Sequence, residues 1–517
     1  MIVIYHHRHQ VVRVYDMQSD AAVPFAEKEL TKLLLKSARD YPERLLVWCD
    51  QSLSEFINWN AFPEIFHHKK ILASFNPSQH NFLPPAIGYV EESMFINVKK
   101  DVVYATWQMS AAVGGIHSRA LALIDKKIAA DSDFDYFLNS LGKLAMPLGL
   151  CCYSDPRLLI AGAKIEQLEA DSATLFSFVS QHFKTVWIFF LLLNILVYER
   201  RFPLFAAVAA IFYKRRKLHP ATFRSVPAVS EIGMDKAALF DVVIPTIGRK
   251  KYLNDFLIDL AGQTLLPKKV IIVEQNPLAE SESELDFLTS ANWPFEIRHI
   301  FTHQAGACNA RNLALAEVSG DWVFLADDDI RIGKNFLEQA CRIMSEINSD
   351  VFNFCCINPG QTRKYDLMHQ TSIFGGGCSI ISRKSLGNSR FNTAFEFGFG
   401  EDSDFGMQLM NKGFGIEFIP EPIISHMKAP IGGFRTKPKL TWDNDPIKPK
   451  PAPTVLLFKL LHHTPQQING YRTTLFVKYY GKQPVKNPIS YYHLFNKQWN
   501  RSAFWANALK LKNVNRQ

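Results

Sequence analysis

Predicted strands and helices alternate along residues 240–434, and this alternation constrains the fold more than any other feature of the chain. The apolar runs DVVIPT (241–246), KKVIIVE (268–274) and DWVFLA (321–326) predict strands, and the longer stretches between them predict helices. This pattern is typical of an α/β domain with a largely parallel sheet. Because ligands bind outside the carboxyl ends of the strands in such sheets, the residues that follow the strands are the candidates for a site.

Charged side chains follow these strands. Asp327, Asp328 and Asp329 come directly after the last strand, where three like charges require either solvent or a cation between them. Glu274 ends the second strand, and Arg311 lies near the start of the helix predicted for GACNARNLALAEV. We expect these groups to converge at one edge of the sheet. The simpler alternative for the three aspartates is a solvated turn that caps the next helix.

Five motifs in this order resemble those of the GT-A type glycosyltransferases of family 2. They are VVIPTIGR at the first strand, VEQN at the second, GACNARNLAL on the helix, ADDD, and GFGEDSDFGMQL. The resemblance covers about 190 of the 517 residues. It implies a GT-A (Rossmann-like) α/β domain that transfers a sugar from a nucleotide-diphosphate donor to an acceptor hydroxyl.

The resemblance also implies a metal site. Asp327 and Asp329 would hold Mg²⁺ or Mn²⁺ together with the donor diphosphate, and Asp329 is the firmer ligand in the family. Hard oxygen ligands suit these ions, which bind largely through substrate phosphates. Asp328 would face the ribose or a neighbouring amide. His426 would be a further metal ligand or a diphosphate contact, although a lone histidine near a strand end is more often structural.

The donor pocket would be formed by several of these motifs. Glu274 would accept hydrogen bonds from the base or the ribose, and Gly376 would let the backbone approach the donor sugar closely. Arg311 would pair with a phosphate or an acidic partner, and a salt bridge that only holds the fold is the alternative. Glu274, where the family more often has aspartate, leaves the preferred donor base open. The predicted donor-binding residues are Pro245, Thr246, Arg249, Glu274, Arg311, Asp327, Asp328 and Gly376.

Two catalytic residues are predicted in FGEDSDF (399–405), at a predicted helix start. An inverting transfer needs a base that takes the proton of the acceptor hydroxyl during displacement. The resemblance assigns this role to Asp402 and places Glu401 where it would orient the acceptor. Capping of the helix is an alternative role for these carboxylates, and the two roles are compatible.

The rest of the chain carries little chemical signature. Residues 1–180 predict a second mixed α/β domain of unknown role, with strands at 45–50 and 69–75 and a helix at 121–130. A short apolar hairpin follows at 181–217, then a linker at 218–239. Beyond the domain at 240–434, residues 435–517 predict a Pro-rich connector and a basic, aromatic C-terminal tail. We find no internal repeat in the sequence.

Two apolar runs suggest contact with a membrane. TVWIFFLLLNILVY (185–198) and FPLFAAVAAIFY (202–213) are too short to span a bilayer singly, because a spanning helix needs roughly 20 residues. The three charges between the runs would make one continuous span costly. We therefore expect a helical hairpin that dips into or lies on the cytoplasmic membrane face, flanked by the basic KRRK (214–217). A hairpin buried against protein is the alternative.

Charge and cysteine content indicate which partners and which cellular compartment to expect. Residues 451–517 hold ten Lys and Arg and no Asp or Glu, which suits an anionic membrane surface, an anionic lipid-linked substrate or nucleic acid. A basic packing module is the alternative. None of the eight cysteines forms a C-x-x-C pair, so we expect reduced cysteines in the cytosol, and the N-terminus shows no secretory signal.

We therefore expect an inverting, metal-dependent glycosyltransferase at the cytoplasmic face of the cell membrane, acting on a glycan or lipid-linked acceptor in surface polysaccharide or glycolipid synthesis. A sugar-nucleotidyltransferase is less well supported, because the loop PTIGRKK has a single glycine where a triphosphate would need several. A non-catalytic membrane-bound binding protein on a transferase fold would not need the carboxylates. We do not expect a nucleic-acid partner, because only the basic tail suggests one.

Overall fold

The computed structural model describes residues 1–124, 128, 133–232, 239–430 and 440–514. The chain forms two compact units. Unit 1 comprises Met1–Ile232 and His463–Tyr479, and unit 2 comprises Gly233–His462 and Tyr480–Gln517. Five of the ten residues in the helix predicted for 121–130 lie outside the described residues.

Unit 1, as far as it is described, is built on an eight-stranded mixed sheet with the order β3-β2-β1-β4-β7-β5-β8-β6. The strands are β1 Ile2–His7, β2 Gln10–Asp16, β3 Ala21–Ala22, β4 Leu45–Asp50, β5 Ile71–Phe75, β6 Tyr104–Ala105, β7 Val113–His117 and β8 Cys151–Ser154. The helices are α1 Leu30–Asp40, α2 Phe62–Ile65, α3 Ser118–Leu121, α4 Phe134–Ala145, α5 Ser172–His182, α6 Val186–Asn194 and α7 Leu204–Ala210.

The core of unit 1 follows from its apolar patterning. Strands β1 and β4 are almost entirely buried, as expected for the continuous apolar runs of central strands. Helix α1 buries Leu30, Leu33 and Leu34, which lie on one face at helical spacing. Gly114 in β7 makes room for the ring of Trp48, because a Cβ at this position would overlap that ring.

Helices α6 and α7 carry the two apolar runs. Helix α6 continues as a π-helical turn over Ile195–Glu199, and the chain reverses at Arg200, whose φ of 55° is left-handed. Ile188 and Leu191 are buried within unit 1, whereas much of the remaining apolar surface of the two helices is exposed. None of the described helices combines the length and the apolar character that crossing a bilayer requires.

Unit 2, within its described residues, is built on a nine-stranded sheet with the order β11-β10-β9-β12-β16-β14-β17-β13, and β15 pairs with β17. The strands are β9 Phe240–Thr246, β10 Lys269–Gln275, β11 Glu296–Thr302, β12 Trp322–Ala326, β13 Ile330–Arg331, β14 Val351–Ile357, β15 His369–Thr371, β16 Cys378–Ser382 and β17 Ile416–His426. The helices from Lys250 onward are α8 Lys250–Ala261, α9 Phe287–Ser290, α10 Ala307–Ala316, α11 Phe336–Ile347, α12 Arg383–Leu386, α13 Glu401–Met410, α14 Pro453–His462, α15 Pro465–Tyr480, which lies in unit 1 as far as Tyr479, and α16 Pro488–Val514.

The core of unit 2 lies between the sheet and the helices α8 and α11. The rings of Phe256 on α8 and Phe336 on α11 both contact Phe324 of β12, with ring centres 6.4 and 5.4 Å from it. Strands β10, β9 and β12 run parallel. The polar residues at their carboxyl ends therefore meet at one edge of the sheet, as predicted from the sequence.

Within the predicted connector, residues 440–452 form neither helix nor strand, and the segment that we predicted as a tail is helical from Pro453. Helices α14 and α16 pack together within unit 2. Tyr491, Phe495 and Trp499 are buried on α16. They recur every four residues, which is the spacing of one helix face. Aromatic residues that we assigned to a tail are thus buried on one face of a helix.

The two units share a strand topology, although the sequence shows no internal repeat. In unit 1, β1, β4, β7, β5, β8 and β6 lie side by side, paired in turn parallel, antiparallel, antiparallel, parallel and antiparallel. In unit 2, β9, β12, β16, β14, β17 and β15 repeat both the order and the directions. The counterparts also follow one another along the chain in the same sequence. Six strands of unit 1 therefore have a topological counterpart in unit 2.

Candidate active site

A cavity of about 420 Å³ opens at the carboxyl ends of β9, β10 and β12 in unit 2. This volume lies within the range of ligand-binding pockets. The polar and charged residues that line it include Thr246, Arg249, Gln275, Arg311, Asp327, Asp328, Asp329, Glu396, Glu401, Asp402, His426 and Lys428, and Pro245 lines it as well. Most of the site residues predicted from the sequence are therefore brought together here.

Asp328 is held on the inner side of the cavity. Its carboxylate accepts a hydrogen bond from the Thr246 hydroxyl at 2.7 Å and pairs with Arg249 Nη1 at 2.6 Å. Burial raises the pKa of Asp328 to about 6, although Arg249 and Thr246 oppose the rise. Thr246 and Arg249 are thus engaged with Asp328, which is 2% exposed and less accessible than Asp327.

Asp327, Asp329 and His426 form a cluster that can bind a cation. Each offers one ligand atom, and the three atoms lie within 4.8 Å of one another. His426 Nε2 lies 3.3 Å from Asp329 Oδ1, and the backbone N–H of Ala429 donates to Asp329 Oδ2 at 2.9 Å. Burial works against the Asp329 charge, but the contacts with His426 and Ala429 leave its pKa below the usual value.

The donor atoms of this cluster fit a divalent cation. The hydrogen bond to Asp329 raises the pKa of His426, so a bound cation would take the place of a proton on the imidazole. Two carboxylates and one imidazole form a mixed oxygen and nitrogen set, which suits Mn²⁺ better than Mg²⁺. These are the three residues that we predicted as metal ligands.

Arg311 lies between two carboxylates. Its Nη2 donates to Asp327 Oδ1 at 3.0 Å, and its Nη1 lies 3.6 Å from Asp402 Oδ1. The guanidinium carbon also lies 5.1 Å from the centre of the Phe391 ring, which adds a cation–π contact. Burial disfavours the Arg311 charge, but Asp402 and Asp327 raise its pKa. The acidic partner that we predicted as one role of Arg311 is therefore present twice.

Asp402 and Glu401 lie in the first turn of α13. Burial raises the pKa of both carboxyls, and Arg311 opposes this rise. Asp402 Oδ1 has no hydrogen-bond partner in the part of the chain that the structure describes. Asp404, in the same turn, contacts His462 Nε2 at 2.7 Å. Because Gly400 is the N-cap of α13, neither Glu401 nor Asp402 occupies the capping position that we considered for them.

Two glycines before β16 leave room for the carboxylates. A Cβ at Gly376 would overlap Asp402 Oδ1 and come within 3.0 Å of the Arg311 guanidinium carbon. A Cβ at Gly377 would overlap the Asp327 carboxylate. Gly376, which we predicted to contact the donor, is not among the residues that line the cavity. It lies against two residues that do line it, so its position favours a role in placing their side chains.

Gln275, and not Glu274, faces the cavity. The Glu274 carboxylate accepts hydrogen bonds from the Ser283 hydroxyl at 2.5 Å and the Glu284 N–H at 2.9 Å, and it lies 2.9 Å from His299 Nε2. Glu274 is not among the lining residues, whereas its neighbour Gln275 is. Successive side chains of a strand point to opposite faces, so only one of these two neighbours can point into the cavity.

Sequence reasoning missed Glu396 and Lys428. Glu396 accepts the backbone N–H groups of Cys308 at 3.1 Å and Asn309 at 2.9 Å, where its charge suits the N-terminus of α10. No motif marks Glu396, because it stands in a connection between elements. Lys428 lines the cavity two residues after His426. Its closeness in sequence to this predicted metal ligand could have marked it as a candidate site residue.

Fold and cavity together define an α/β domain that can hold an anionic ligand and a cation at the carboxyl ends of its strands. Residues 241–404 match the family model described as Glycosyl transferase family 2. This part of the chain is a family 2 glycosyltransferase domain of the GT-A type.

Several known proteins share part of this domain. Poly(ribitol-phosphate) beta-N-acetylglucosaminyltransferase TarS of Staphylococcus aureus (strain Mu50 / ATCC 700699) is 28% identical over 116 residues, 22% of this chain and 20% of TarS. The chain thus matches about a fifth of the length of this curated relative.

Solved structures are similar at a lower level. S. aureus TarS 1–349 in complex with UDP-GlcNAc is 16% identical with a TM-score of 0.34, covering 50% of this chain and 71% of that one. GalNAc-T7 with UDP, GalNAc and Mn²⁺ is 12% identical with a TM-score of 0.32, covering 40% and 48%. These scores are too low to support an argument, so the assignment rests on the family model.

Proposed function

We propose that unit 2 transfers a sugar from a nucleotide-diphosphate donor to an acceptor hydroxyl, with inversion at the anomeric carbon. One observation carries the proposal: the cation-binding cluster of Asp327, Asp329 and His426 shares a single cavity with Asp402 in a family 2 domain. The relative TarS is by its name a poly(ribitol-phosphate) beta-N-acetylglucosaminyltransferase. A polymer in that name is compatible with the glycan or lipid-linked acceptor that we propose for this chain.

Asp402 would be the base of the transfer. Asp402 lines the cavity and its side chain is 35% exposed, so its carboxylate is accessible to an acceptor hydroxyl group. Burial raises the pKa of Asp402, which makes the carboxylate a stronger proton acceptor than a free aspartate. Arg311 lies 3.6 Å away and keeps the carboxylate charged. Glu401, one residue earlier on the same turn, would orient the acceptor.

Asp327 and Asp329 would hold the donor diphosphate through a bound cation. A divalent cation on Asp327, Asp329 and His426 would neutralise the charge that develops on the departing diphosphate. Arg249 lies 3.2 Å from Asp329 Oδ2 and 2.6 Å from Asp328 Oδ1, so it restrains both side chains. Restraint of these groups before the donor binds lowers the reorganisation that the reaction requires.

A panel of nucleotide sugars tests the activity. The purified full chain is incubated with Mn²⁺, each donor in turn and a mixture of glycan and lipid-linked acceptors. The proposal expects release of a nucleoside diphosphate and a product with inverted anomeric configuration by NMR. Release of pyrophosphate would instead favour a sugar-nucleotidyltransferase. Release of neither, with donor binding intact, would favour a non-catalytic binding protein.

The apolar helix pair, residues 186–213, would bring the enzyme to the cytoplasmic membrane face. Four of its phenylalanines are exposed, Phe205 by 93%, Phe212 by 82%, Phe202 by 60% and Phe189 by 56%. Monomeric soluble proteins rarely expose an apolar patch of this kind without an interaction partner. The basic KRRK (214–217) follows directly and would be attracted to anionic lipids.

Vesicle flotation tests the membrane proposal. The full chain should float with vesicles that contain anionic lipid, and the double variant Phe205→Ser, Phe212→Ser should lose most of this binding. Leu168→Ser is the control, because Leu168 is also strongly exposed in unit 1, at 75%, but lies outside the helix pair. Equal flotation of the double variant and the control would contradict the proposal.

A further inference from the structure

Unit 1 contains a second group of titratable side chains, the histidine–aspartate cluster His6, His9, Asp50, Asp133 and Asp135. His9 Nε2 lies 3.2 Å from Asp135 Oδ2, and one ligand atom each of His9, Asp133 and Asp135 lies within 4.8 Å of the others. His6 lies beside His9, with ring centres 6.0 Å apart. The cluster joins the β1–β2 turn to the first turn of α4.

The aspartates of this cluster occupy the topological place of Asp327 and Asp402 in unit 2. Asp50 follows Cys49, which pairs with the first residue of β7, and Asp327 follows Ala326, which pairs with the first residue of β16. The N–H of each aspartate donates to the carbonyl of the residue just before that strand, at 2.7 Å for Asp50 and 3.4 Å for Asp327.

Asp135 shows the same correspondence with Asp402. Both are second residues of the helix that precedes the last parallel strand, β8 in unit 1 and β17 in unit 2. Asp135 accepts the N–H of Ala111 at 2.8 Å, and Asp402 lies against Gly376, where a Cβ would overlap its Oδ1. Ala111 and Gly376 each lie two residues before the returning strand. The cluster therefore stands where unit 2 has its candidate active site.

The two places carry their ligands at different positions of the shared topology. Asp329 of the unit 2 cluster lies two residues after Asp327, and the corresponding residue of unit 1, two after Asp50, is Ser52. The Ser52 hydroxyl donates a hydrogen bond to Asp50 Oδ1 at 2.6 Å. Unit 1 instead offers the imidazole of His9 and the carboxylates of Asp133 and Asp135, so its ligands are of the same kinds as those of unit 2. Its donor set thus combines nitrogen and oxygen, which favours first-row transition metals over Mg²⁺ and Ca²⁺.

Two observations support a bound cation. In the described part of unit 1, neither lysine nor arginine forms an ion pair with Asp50, Asp133 or Asp135, whereas Arg311 balances the carboxylates of unit 2. His6 is 2% exposed, and its Nδ1 has no hydrogen-bond partner among the described residues. That nitrogen faces Asp50 Oδ2 across 3.9 Å, which is too long for a hydrogen bond.

We propose that the histidine–aspartate cluster of unit 1 binds a divalent transition-metal cation, Zn²⁺ or Mn²⁺, through His9 Nε2 and the carboxylates of Asp133 and Asp135. The buried His6 lies beside His9, and its Nδ1 faces Asp50. The ion fastens the β1–β2 turn to the N-terminus of α4. This is a site separate from the one that the transfer reaction uses, and it does not depend on the proposed function of unit 2.

Zinc binding to the full chain tests the proposal. The background is Asp329→Ala, which disables the cation cluster of unit 2, and the protein is freed of metal by dialysis against a chelator. Calorimetric titration with Zn²⁺ should show one site per chain. His9→Asn should weaken its affinity at least about tenfold. Asparagine suits position 9, because His9 has a φ of 65°. His7→Asn, at the exposed neighbour, should leave the affinity unchanged.

A second variant guards against a folding defect. Asp133 caps α4 by accepting the N–H of Tyr136 at 2.9 Å, and asparagine caps as well as aspartate. Asp133→Asn therefore keeps the helix and removes one ligand charge, so it should also weaken zinc binding at least about tenfold. Absence of zinc binding in the Asp329→Ala background would overturn the proposal. So would a folded His9→Asn or Asp133→Asn protein that binds zinc as tightly as His7→Asn.

Discussion

Replacing Arg311 with methionine removes the positive charge that lies between Asp327 and Asp402 while keeping a side chain of similar length. The Arg311 side chain is 8% exposed, and its Nη1 lies 3.6 Å from Asp402 Oδ1. Without this charge the Asp402 carboxylate loses its favourable partner and faces Asp327 alone. Its pKa therefore rises, and the base stays protonated up to a higher pH.

The size of the shift follows from the distance. Unit charges 3.6 Å apart interact by about 4.6 kcal/mol at an effective dielectric constant of about 20. The Asp402 side chain is 35% exposed, so solvent screening reduces this to about 2 kcal/mol. That energy corresponds to about 1.5 pKa units. The acid limb of the kcat/KM profile should move to higher pH by about this amount.

The assay is the pH dependence of nucleoside diphosphate release under kcat/KM conditions, which reports the pKa of the free enzyme's base. Arg311→Lys keeps a charge and should shift the limb less than Arg311→Met. Arg298→Met is the control, because Arg298 pairs with Glu317 on an exposed part of unit 2. An acid limb of Arg311→Met that coincides with that of wild type would refute the assignment of Asp402 as a base tuned by Arg311.

Three further perturbations have defined outcomes. Asp402→Asn keeps the shape of the side chain but removes the base, so kcat should fall by about 10²- to 10⁴-fold with donor affinity nearly unchanged, whereas Ser403→Ala in the same turn should retain activity. Gly376→Ala places a Cβ against Asp402 Oδ1 and should lower kcat by about 10²-fold through misplacement of that group, with little change in the melting temperature of the protein. Glu91→Gln breaks the buried pair with Lys143 and should destabilise unit 1 by about 3 kcal/mol at neutral pH in urea unfolding. Burial disfavours the charged form of Glu91, but the nearby Lys143 has the larger effect and holds the pKa of folded Glu91 below the usual value. The ion pair therefore stabilises the folded state above the ordinary glutamate pKa, and this stabilisation is lost as pH falls through the pKa of folded Glu91. The stability difference between wild type and Glu91→Gln should therefore shrink in acid, and a constant difference would contradict this reading.

The parts of unit 2 that sequence could predict are those governed by periodicity. Apolar runs of strand length mark β9, β10 and β12, and parallel strands bring their carboxyl ends together. This reasoning places Asp327, Asp329 and Arg311 at one edge, and the structure has them there. The sequence could not decide whether Glu274 or Gln275 faces the cavity. Adjacent strand residues face opposite sides of the sheet, so an offset of one residue changes which of the two side chains faces the cavity.

Other features depend on contacts that leave no local trace. Helix α16 buries Tyr491, Phe495 and Trp499, aromatic residues that we assigned to a basic tail from composition. The shared topology of the two units lies in the pairing of strands through backbone hydrogen bonds. Because different side chains are compatible with the same pairing, the two units can share it without a repeat in the sequence. Glu396 reaches the cavity from a loop whose course is set by the packing around it.

The location of the donor site is tested most directly by a crystal structure of the protein with Mn²⁺ and a nucleoside diphosphate, using the anomalous signal of manganese. We predict a manganese peak among Asp327, Asp329 and His426, with the diphosphate on the metal and the nucleoside extending into the cavity toward Gln275. A nucleotide bound at another place on the chain, or manganese on this cluster with the diphosphate elsewhere, would contradict it.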